Sequence, residues 1–338
     1  MAAESVAAGG LVGRDEVIGR LYRVVADAVA GRGSLILLTG EPGAGKSAVL
    51  TATAEHATVL GAACGQGAGW PGEGAPAYWP WRQALRGVRR SGVTAAAADP
   101  VPGSREGDLG DGEPPASARF RRFDAAASRL IELARERPLV VLLDDLHWAD
   151  EASVSFLAFL APRLTAAPLA VVGAYRDVGD APVAALAALA ARSTVVPLGG
   201  LAAAAVRRIV ADVLGPDQAE DVAADVVRRT GGNPFFVHQL CWVIAAGGTA
   251  GEVPPGVRGA LELRFAAMDD DARRSTPLRS DGDTVAAGVQ ALHEVLGAAA
   301  ALGPGFDPAL LEAVTQQPGD AVRTALQLAR RHRILMVA

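Results

Sequence analysis

The sequence predicts an α/β fold: a mainly parallel sheet with helices on both faces, followed by a helical region. A short apolar run beginning at Ser34 feeds a glycine-rich loop and then a helix-compatible segment that reaches Leu50. Two further aliphatic runs, residues 139–143 and 168–175, have the unbroken apolar character of strands buried on both faces. Beyond Gly199 such runs largely disappear, and large apolar residues recur at helical spacing instead.

With 338 residues, half of them hydrophobic and 20% charged, the chain has material for two or three domains with cores of their own. A soluble, globular protein is expected. No apolar run approaches the roughly 20 residues of a membrane span, and the opening M-A-A-E-S-V-A-A-G-G lacks the basic and apolar regions of a signal peptide. The expected location is therefore cytoplasmic, without a membrane partner. The net charge is −5, and arginines occur as scattered pairs rather than as a stripe, so direct nucleic-acid binding is not expected. Cys64 and Cys241 lie far apart and near no histidine pair, which argues against a disulfide framework and for two small buried hydrophobes.

In order along the chain, L-V-G-R-D at residues 11–15 reads as a turn before an amphipathic helix carrying Val17, Leu21, Val24 and Val25. The strand, loop and helix of residues 34–56 follow, and residues 58–64 read as a second strand. An aromatic, proline-rich loop spans 70–81 and a helix 82–90. Residues 91–118 have only Val93, Val101 and Leu109 as larger aliphatics and read as a flexible insertion that buries little. A helix over 119–137 with Phe120, Phe123 and Leu130 is closed by Pro138, and the strand of 139–143 comes next. The strand of 168–175, an alanine-rich helix and a shorter strand at 194–198 complete the alternation.

Helical spacing then places Val206, Ile209, Val210, Val213 and Leu214 on one helix, and Val257, Leu261, Phe265 and Met268 on another. Between them G-G-N-P-F-F at 231–236 forms a corner, with Asn233 as cap and Pro234 in the first turn of the next helix. Residues 273–284 read as a loop. Helix resumes over 285–302 and continues through Leu310, Leu311, Val314, Val322 and Leu326 to a short run at 334–337. The expected domains are residues 1–198, 199–270 and 271–338.

The chemistry centres on G-E-P-G-A-G-K-S, which fits G-x-x-x-x-G-K-[ST] with Gly40, Gly45, Lys46 and Ser47 in the defining places. Gly40, Gly43 and Gly45 let the backbone fold tightly and turn N–H groups inward, where they and the helix N-terminus hold phosphate oxygens. Pro42 and Ala44 complete the loop, and Ala48 lies in the first turn of the helix. Lys46 is placed to reach the β- and γ-phosphates, and Ser47 to bind Mg²⁺. Lys46 is the chain's only lysine, on a loop expected to face solvent. Arginine fills every other basic position, which suits a site needing a compact ammonium rather than a planar fork.

This is the phosphate loop of a P-loop NTPase, with ATP or ADP and Mg²⁺ as expected ligands. Asp144 and Asp145 arrive at the C-terminal end of a buried strand, the edge where open α/β sheets bind ligands, placed to handle Mg²⁺ and a water. Arg176 reaches the same edge, where a guanidinium can sense the γ-phosphate. Taken alone, the aspartates also suit a turn, Arg176 a surface position, and residues 231–236 a plain helix corner.

Five stretches, in this order, resemble the ATPase module of large LuxR-type bacterial transcriptional regulators, of the STAND class of P-loop signalling ATPases. They are L-V-G-R-D, the phosphate loop, L-V-V-L-L-D-D-L-H-W-A-D, V-V-G-A-Y-R-D and R-T-G-G-N-P-F-F-V, and the resemblance covers residues 11–337. It implies that Val12, Gly13 and Arg14 lie by the adenine and phosphates, that Asp144 assists Mg²⁺, that Asp145 polarises the attacking water, and that Arg176 senses phosphate. It also implies that Pro234 lies against the base and holds a helical lid shut over ADP, and that a winged-helix-like segment follows. His147 and Trp148 are read as packing residues.

In such proteins exchange of ADP for ATP opens the lid and permits self-association. Residues 273–294 depart from the family's usual passage into the winged helix. The chain stops at Ala338, where the family continues into sensor repeats and a helix-turn-helix, so DNA recognition is expected from another domain or a partner protein. The expected function is an ATP-binding, slowly hydrolysing regulatory switch. Two alternatives stand beside it: a P-loop small-molecule phosphotransferase, against which no arginine-rich lid or acceptor pocket is evident, and an AAA+ type DNA-associated loader, which should show an arginine finger and a basic wing.

Overall fold

The computed structural model describes residues 11–72, 74–90, 101, 115–176, 184–247, 265–266, 268–269, 272–273, 282–302 and 307–331. The chain divides into two compact units, Met1–Asp177 with Ala181–Ala245, and Val178–Asp180 with Ala246–Ala338.

The first unit is built on five parallel strands: β1 (Leu35–Gly40), β2 (Ala63–Ala68), β3 (Leu139–Asp144), β4 (Leu169–Tyr175) and β5 (Thr194–Leu198). Their spatial order is β2-β3-β4-β1-β5, which sets β1 between β4 and β5. Successive residues of a strand point to opposite faces. Leu37, Val141, Leu143 and Val171 therefore enter one core, and Ile36, Leu38, Val140, Leu142 and Val172 the other.

The first of these cores is closed by α3 (Trp79–Arg90), α4 (Pro115–Glu136), α5 (Glu151–Leu160) and α6 (Ala184–Ala190) through Trp81, Leu130, Phe156 and Leu186. The second is closed by α1 (Asp15–Val29) and α2 (Lys46–Val59) through Leu21, Val25, Val49 and Leu50. Because every strand runs the same way, the turns that follow β1, β3 and β4 all leave from one edge of the sheet.

The second strand lies further along the chain than the sequence suggests. Residues 58–59 still belong to α2, and β2 is the glycine-rich Ala63–Ala68. Its glycines are set by α3, which lies directly on this edge strand. A Cβ on Gly65 would stand 2.0 Å from the Ala84 carbonyl oxygen, and one on Gly67 1.9 Å from that of Pro80. Close approach of a backbone, rather than β propensity, determines this strand.

Helix α3 opens at Trp79, inside the expected aromatic loop, and α4 opens at Pro115, so residues 115–118 are helical rather than part of an insertion. Val101, expected to bury little, is 3% exposed in the first core; residues 91–100 and 102–114 lie outside the described residues.

After β5, α7 (Ala203–Leu214), α8 (Pro216–Thr230) and α9 (Pro234–Ala245) enclose a third core of Val206, Ile209, Val210, Val226, Val237, Leu240 and Cys241. Cys64 is only partly buried.

The second unit holds helices Gly282–Leu302, Pro308–Thr315 and Gly319–Arg331, joined through Leu292, Val295, Leu311 and Val322, with Met268 against them. Its described residues include no strand, so the wing of the expected winged-helix segment is not among them. Residues 282–284 are helical where a loop was expected. Val257, Leu261, residues 274–281 and the run at 334–337 lie outside the described residues. No described helix is long and apolar enough to cross a membrane.

Candidate functional site

From the end of β1 the chain turns through residues 41–45 into α2, with Gly43 and Gly45 at φ 80° and 92°, where a Cβ would be strained. Five successive carbonyls of this loop are held by donors outside it. Lys46 Nζ donates to the carbonyls of Gly40 (2.8 Å) and Glu41 (2.9 Å). Asn233 Nδ2 donates to Pro42 (2.9 Å), the Phe235 N–H to Gly43 (3.3 Å), and Arg14 Nη2 to Ala44 (2.9 Å).

With its carbonyls so occupied, the loop and the first turn of α2, whose amides have no intrahelical partner, are left to meet an anion with N–H groups. Lys46 is 7% exposed, so it is buried rather than solvent-facing. Burial, and next the charge of Arg176, push its pKa down to about 8.

The acidic residues come from β3. Ser47 Oγ donates to Asp144 Oδ2 at 2.5 Å, and the Asp145 N–H donates to Asp144 Oδ1 at 2.8 Å. Asp145 itself is left-handed, φ 49° and ψ 43°, a conformation that Asp tolerates better than most residues. This reversal starts the 3₁₀ turn Leu146–Trp148, anchored by buried Leu146.

The turn brings His147 back towards Asp145, with Nε2 3.9 Å from Oδ1, and Arg176 Nε stands 4.0 Å from the same oxygen. The Arg176 guanidinium also lies over the Trp148 ring, 4.7 Å from its centroid. Both His147 ring nitrogens are buried without a hydrogen-bond partner among the described residues. Burial, and then Arg176 and Lys46, lower the His147 pKa to about 4, so its ring is neutral. Burial and Asp144 raise the Asp145 pKa, opposed by Arg176 and Lys46.

Asp150, the last residue of D-D-L-H-W-A-D, has a structural task. It accepts from the Ser153 N–H and Oγ and from the Tyr78 N–H, tying the aromatic loop to the start of α5.

The adjacent Ser47 hydroxyl and Asp144 carboxylate are hard oxygen donors of the kind Mg²⁺ takes alongside substrate phosphates. Among the described residues no cluster of three or more His, Cys, Asp or Glu could hold a metal by itself. The donor set therefore fits Mg²⁺ bound jointly with phosphate.

A cleft of about 650 Å³ joins these parts. Lys46, Ser47, Asp145 and Arg176 line it, and so do the apolar Leu11, Val12, Ile209, Val213 and Pro234, with Asp212 and His238 among them. Arg14, Pro42, Gly43, Ala44, Gly45 and Ala48 also line it. The remaining expected residues lie behind the lining. Gly40 gives its carbonyl to Lys46, Asp144 binds Ser47, and a Cβ on Gly13 would come 2.5 Å from that of Ala205 on α7.

The sequence reading of Asn233 as a cap holds, since its Oδ1 accepts from the Phe235 N–H, but its second contact, with Pro42 191 residues away, had no sequence signal. His147, read as packing, is a buried ring beside Asp145.

The fold and this edge define an α/β P-loop ATPase core: a five-stranded parallel sheet followed by a helical region. The family model of the AAA ATPase domain matches residues 10–172, just under half of the chain, and that stretch is an AAA-type ATPase domain. Among solved structures, DNA-bound Orc1 of Aeropyrum pernix is similar at 17% identity and TM-score 0.40, over 96% of this chain and 84% of that one. A Thermotoga maritima RuvB variant aligns at 13% identity and TM-score 0.41, over 96% and 87%. AMPPCP-bound DnaA of Aquifex aeolicus aligns at 11% and 0.43, over 96% and 89%. No curated protein sequence matches the chain.

Proposed function

We propose that the chain is a nucleotide-operated switch, a STAND-type ATPase module of a LuxR-family transcriptional regulator that binds ATP and hydrolyses it slowly. The observation that carries this reading is the meeting of Lys46, Ser47, Asp145 and Arg176 in one cleft that Pro234 of the lid also lines. The working units are an ATPase core over residues 1–198, a helical lid over 199–270 and a winged-helix-like segment over 271–338.

Lys46 exchanges the Gly40 and Glu41 carbonyls for phosphate oxygens. Ser47 and Asp144 would hold Mg²⁺, which would supply positive charge against the phosphates. Asp145 orients a water and takes its proton, and its upward pKa suits a base. The neutral ring of His147 stands behind Asp145, Nε2 3.9 Å from Oδ1. Arg176 leaves Asp145 and the Trp148 face to meet the γ-phosphate.

Val12, Gly13 and Arg14 line and support the nucleotide from the N-terminal side, while Pro234 packs on the base and keeps the lid over ADP. Arrival of ATP releases the lid, permits self-association, and is read by a DNA-binding domain or partner protein outside these residues. With a net charge of −5 and no basic stripe, the module itself takes no nucleic acid. Light scattering after size exclusion tests the switch on Asp145→Asn, which should retain ATP: a larger species in MgATP than in MgADP is expected, and equal masses in both would overturn the reading.

A further inference from the structure

The corner between α8 and α9 is part of the phosphate loop's own support. Asn233 is 5% exposed. Its Oδ1 accepts from the Phe235 N–H (3.1 Å), which caps α9, while its Nδ2 donates to the Pro42 carbonyl (2.9 Å) and lies 3.4 Å from Glu41 Oε2. The fit is close: a Cβ on Gly43 would stand 2.7 Å from Phe235 Cβ and 2.8 Å from Asn233 Oδ1.

A loop that offers N–H groups to an anion must send its carbonyls the other way, and each buried carbonyl needs a donor there. Ala44 has Arg14. Gly40 and Glu41 have Lys46, which gives them up when it turns to phosphate. The two central carbonyls, Pro42 and Gly43, are held by the corner, through the Asn233 side chain and the Phe235 N–H.

We propose that Asn233 is a positioning residue of the nucleotide site. Its amide fixes the Pro42 carbonyl outward, so that docking of the α8–α9 corner sets the phosphate loop in its anion-binding shape. The inference rests on the ATP reading of that loop. Coupling of this kind is reciprocal: phosphate in the loop strengthens corner docking, and a corner that lifts away relaxes the loop and loosens the nucleotide, although Asn233 touches none of it.

The test separates this role from simple helix capping. Aspartate caps a helix as well as asparagine does but has no N–H for Pro42, and its carboxylate would face that carbonyl and Glu41. In Asn233→Asp the cap of α9 is kept, so helix content by circular dichroism should stay at the wild-type value while MgATP affinity falls tenfold or more. Asn233→Ala should lose roughly threefold to tenfold and also melt lower.

Calorimetry on wild type, both variants and Lys46→Ala decides the matter. If wild type binds MgATP and Asn233→Asp binds within twofold of it, the inference falls alone. If wild type binds no MgATP, or Lys46→Ala binds as tightly as wild type, the ATP reading falls and takes the inference with it. Amide hydrogen exchange over residues 41–47 of nucleotide-free Asn233→Ala probes the same contact without ATP: faster exchange than wild type is expected, and unchanged exchange overturns the proposal.

Discussion

Lys46 is the chain's only lysine, and its position explains why arginine does not replace it. A compact ammonium fits beneath the loop and reaches two carbonyls from one nitrogen, which a planar fork does not. Lys46→Arg should therefore lose MgATP affinity almost as fully as Lys46→Ala, with both variants folded by circular dichroism; wild-type affinity in Lys46→Ala would remove Lys46 from the site, and in Lys46→Arg it would remove the argument from the sole lysine. Its pKa of about 8 adds a pH dependence. The nucleotide-free protein loses the ammonium as pH rises through 8, whereas bound phosphate restores it. MgATP binding should weaken over that range and take up a proton, seen as a binding heat that changes with the ionisation enthalpy of the buffer. The linkage to stability has the opposite slope. With the folded pKa below the ordinary 10.5, the unfolded chain binds more protons between about 8 and 10.5, so the nucleotide-free fold gains stability as pH rises through that window. The loop residues were legible in the sequence because each is fixed by local backbone chemistry. The burial of Lys46 was not, because arginine, lid and core had first to be brought around it.

At the scale of elements, the strands most legible from sequence were those buried on both faces. Leu139–Asp144 and Leu169–Tyr175 were bounded within one residue, since an interior parallel strand needs an unbroken apolar run; the edge strand Thr194–Leu198, partly exposed, was bounded as well. The edge strand β2 was misplaced because packing against α3 selects glycine there, a residue that carries no strand signal. Gly65→Ala or Gly67→Ala should force α3 off the sheet and cost about 2 kcal/mol, read as a lower urea midpoint; an unchanged midpoint would mean that the close approach is not what fixes this strand. The start of α9 makes a second prediction. Pro234 lines the cleft, and if it secures the lid over the base, losing about 1.4 kcal/mol of contact in Pro234→Ala shifts the closed-to-open ratio about tenfold. ADP should leave correspondingly faster in stopped flow, with single-turnover hydrolysis unchanged. Release at the wild-type rate would reduce residues 231–236 to a corner between helices.

For the whole molecule, one property of the sheet made the site legible in the sequence. Parallel strands share a C-terminal edge, so the phosphate loop after β1, the aspartates at the end of β3 and Arg176 after β4 had to converge once the strands were recognised. Hidden from the sequence were contacts that no strand direction dictates, such as Asn233 on Pro42 and Arg14 between Ala44 and Gly199. These bind the α8–α9 corner and the N-terminal turn to the loop and make the cleft a joint product of elements far apart in the chain. The claim on which the rest depends is that this cleft binds ATP through Lys46 and cleaves it through Asp145. Single-turnover hydrolysis of radiolabelled ATP on purified protein tests it most directly. Wild type is expected to retain nucleotide and convert it slowly to ADP, Asp145→Asn to retain ATP while converting it about 10²- to 10⁴-fold more slowly, and Lys46→Ala to retain none. Wild-type retention by Lys46→Ala, or wild-type conversion by Asp145→Asn, would contradict it.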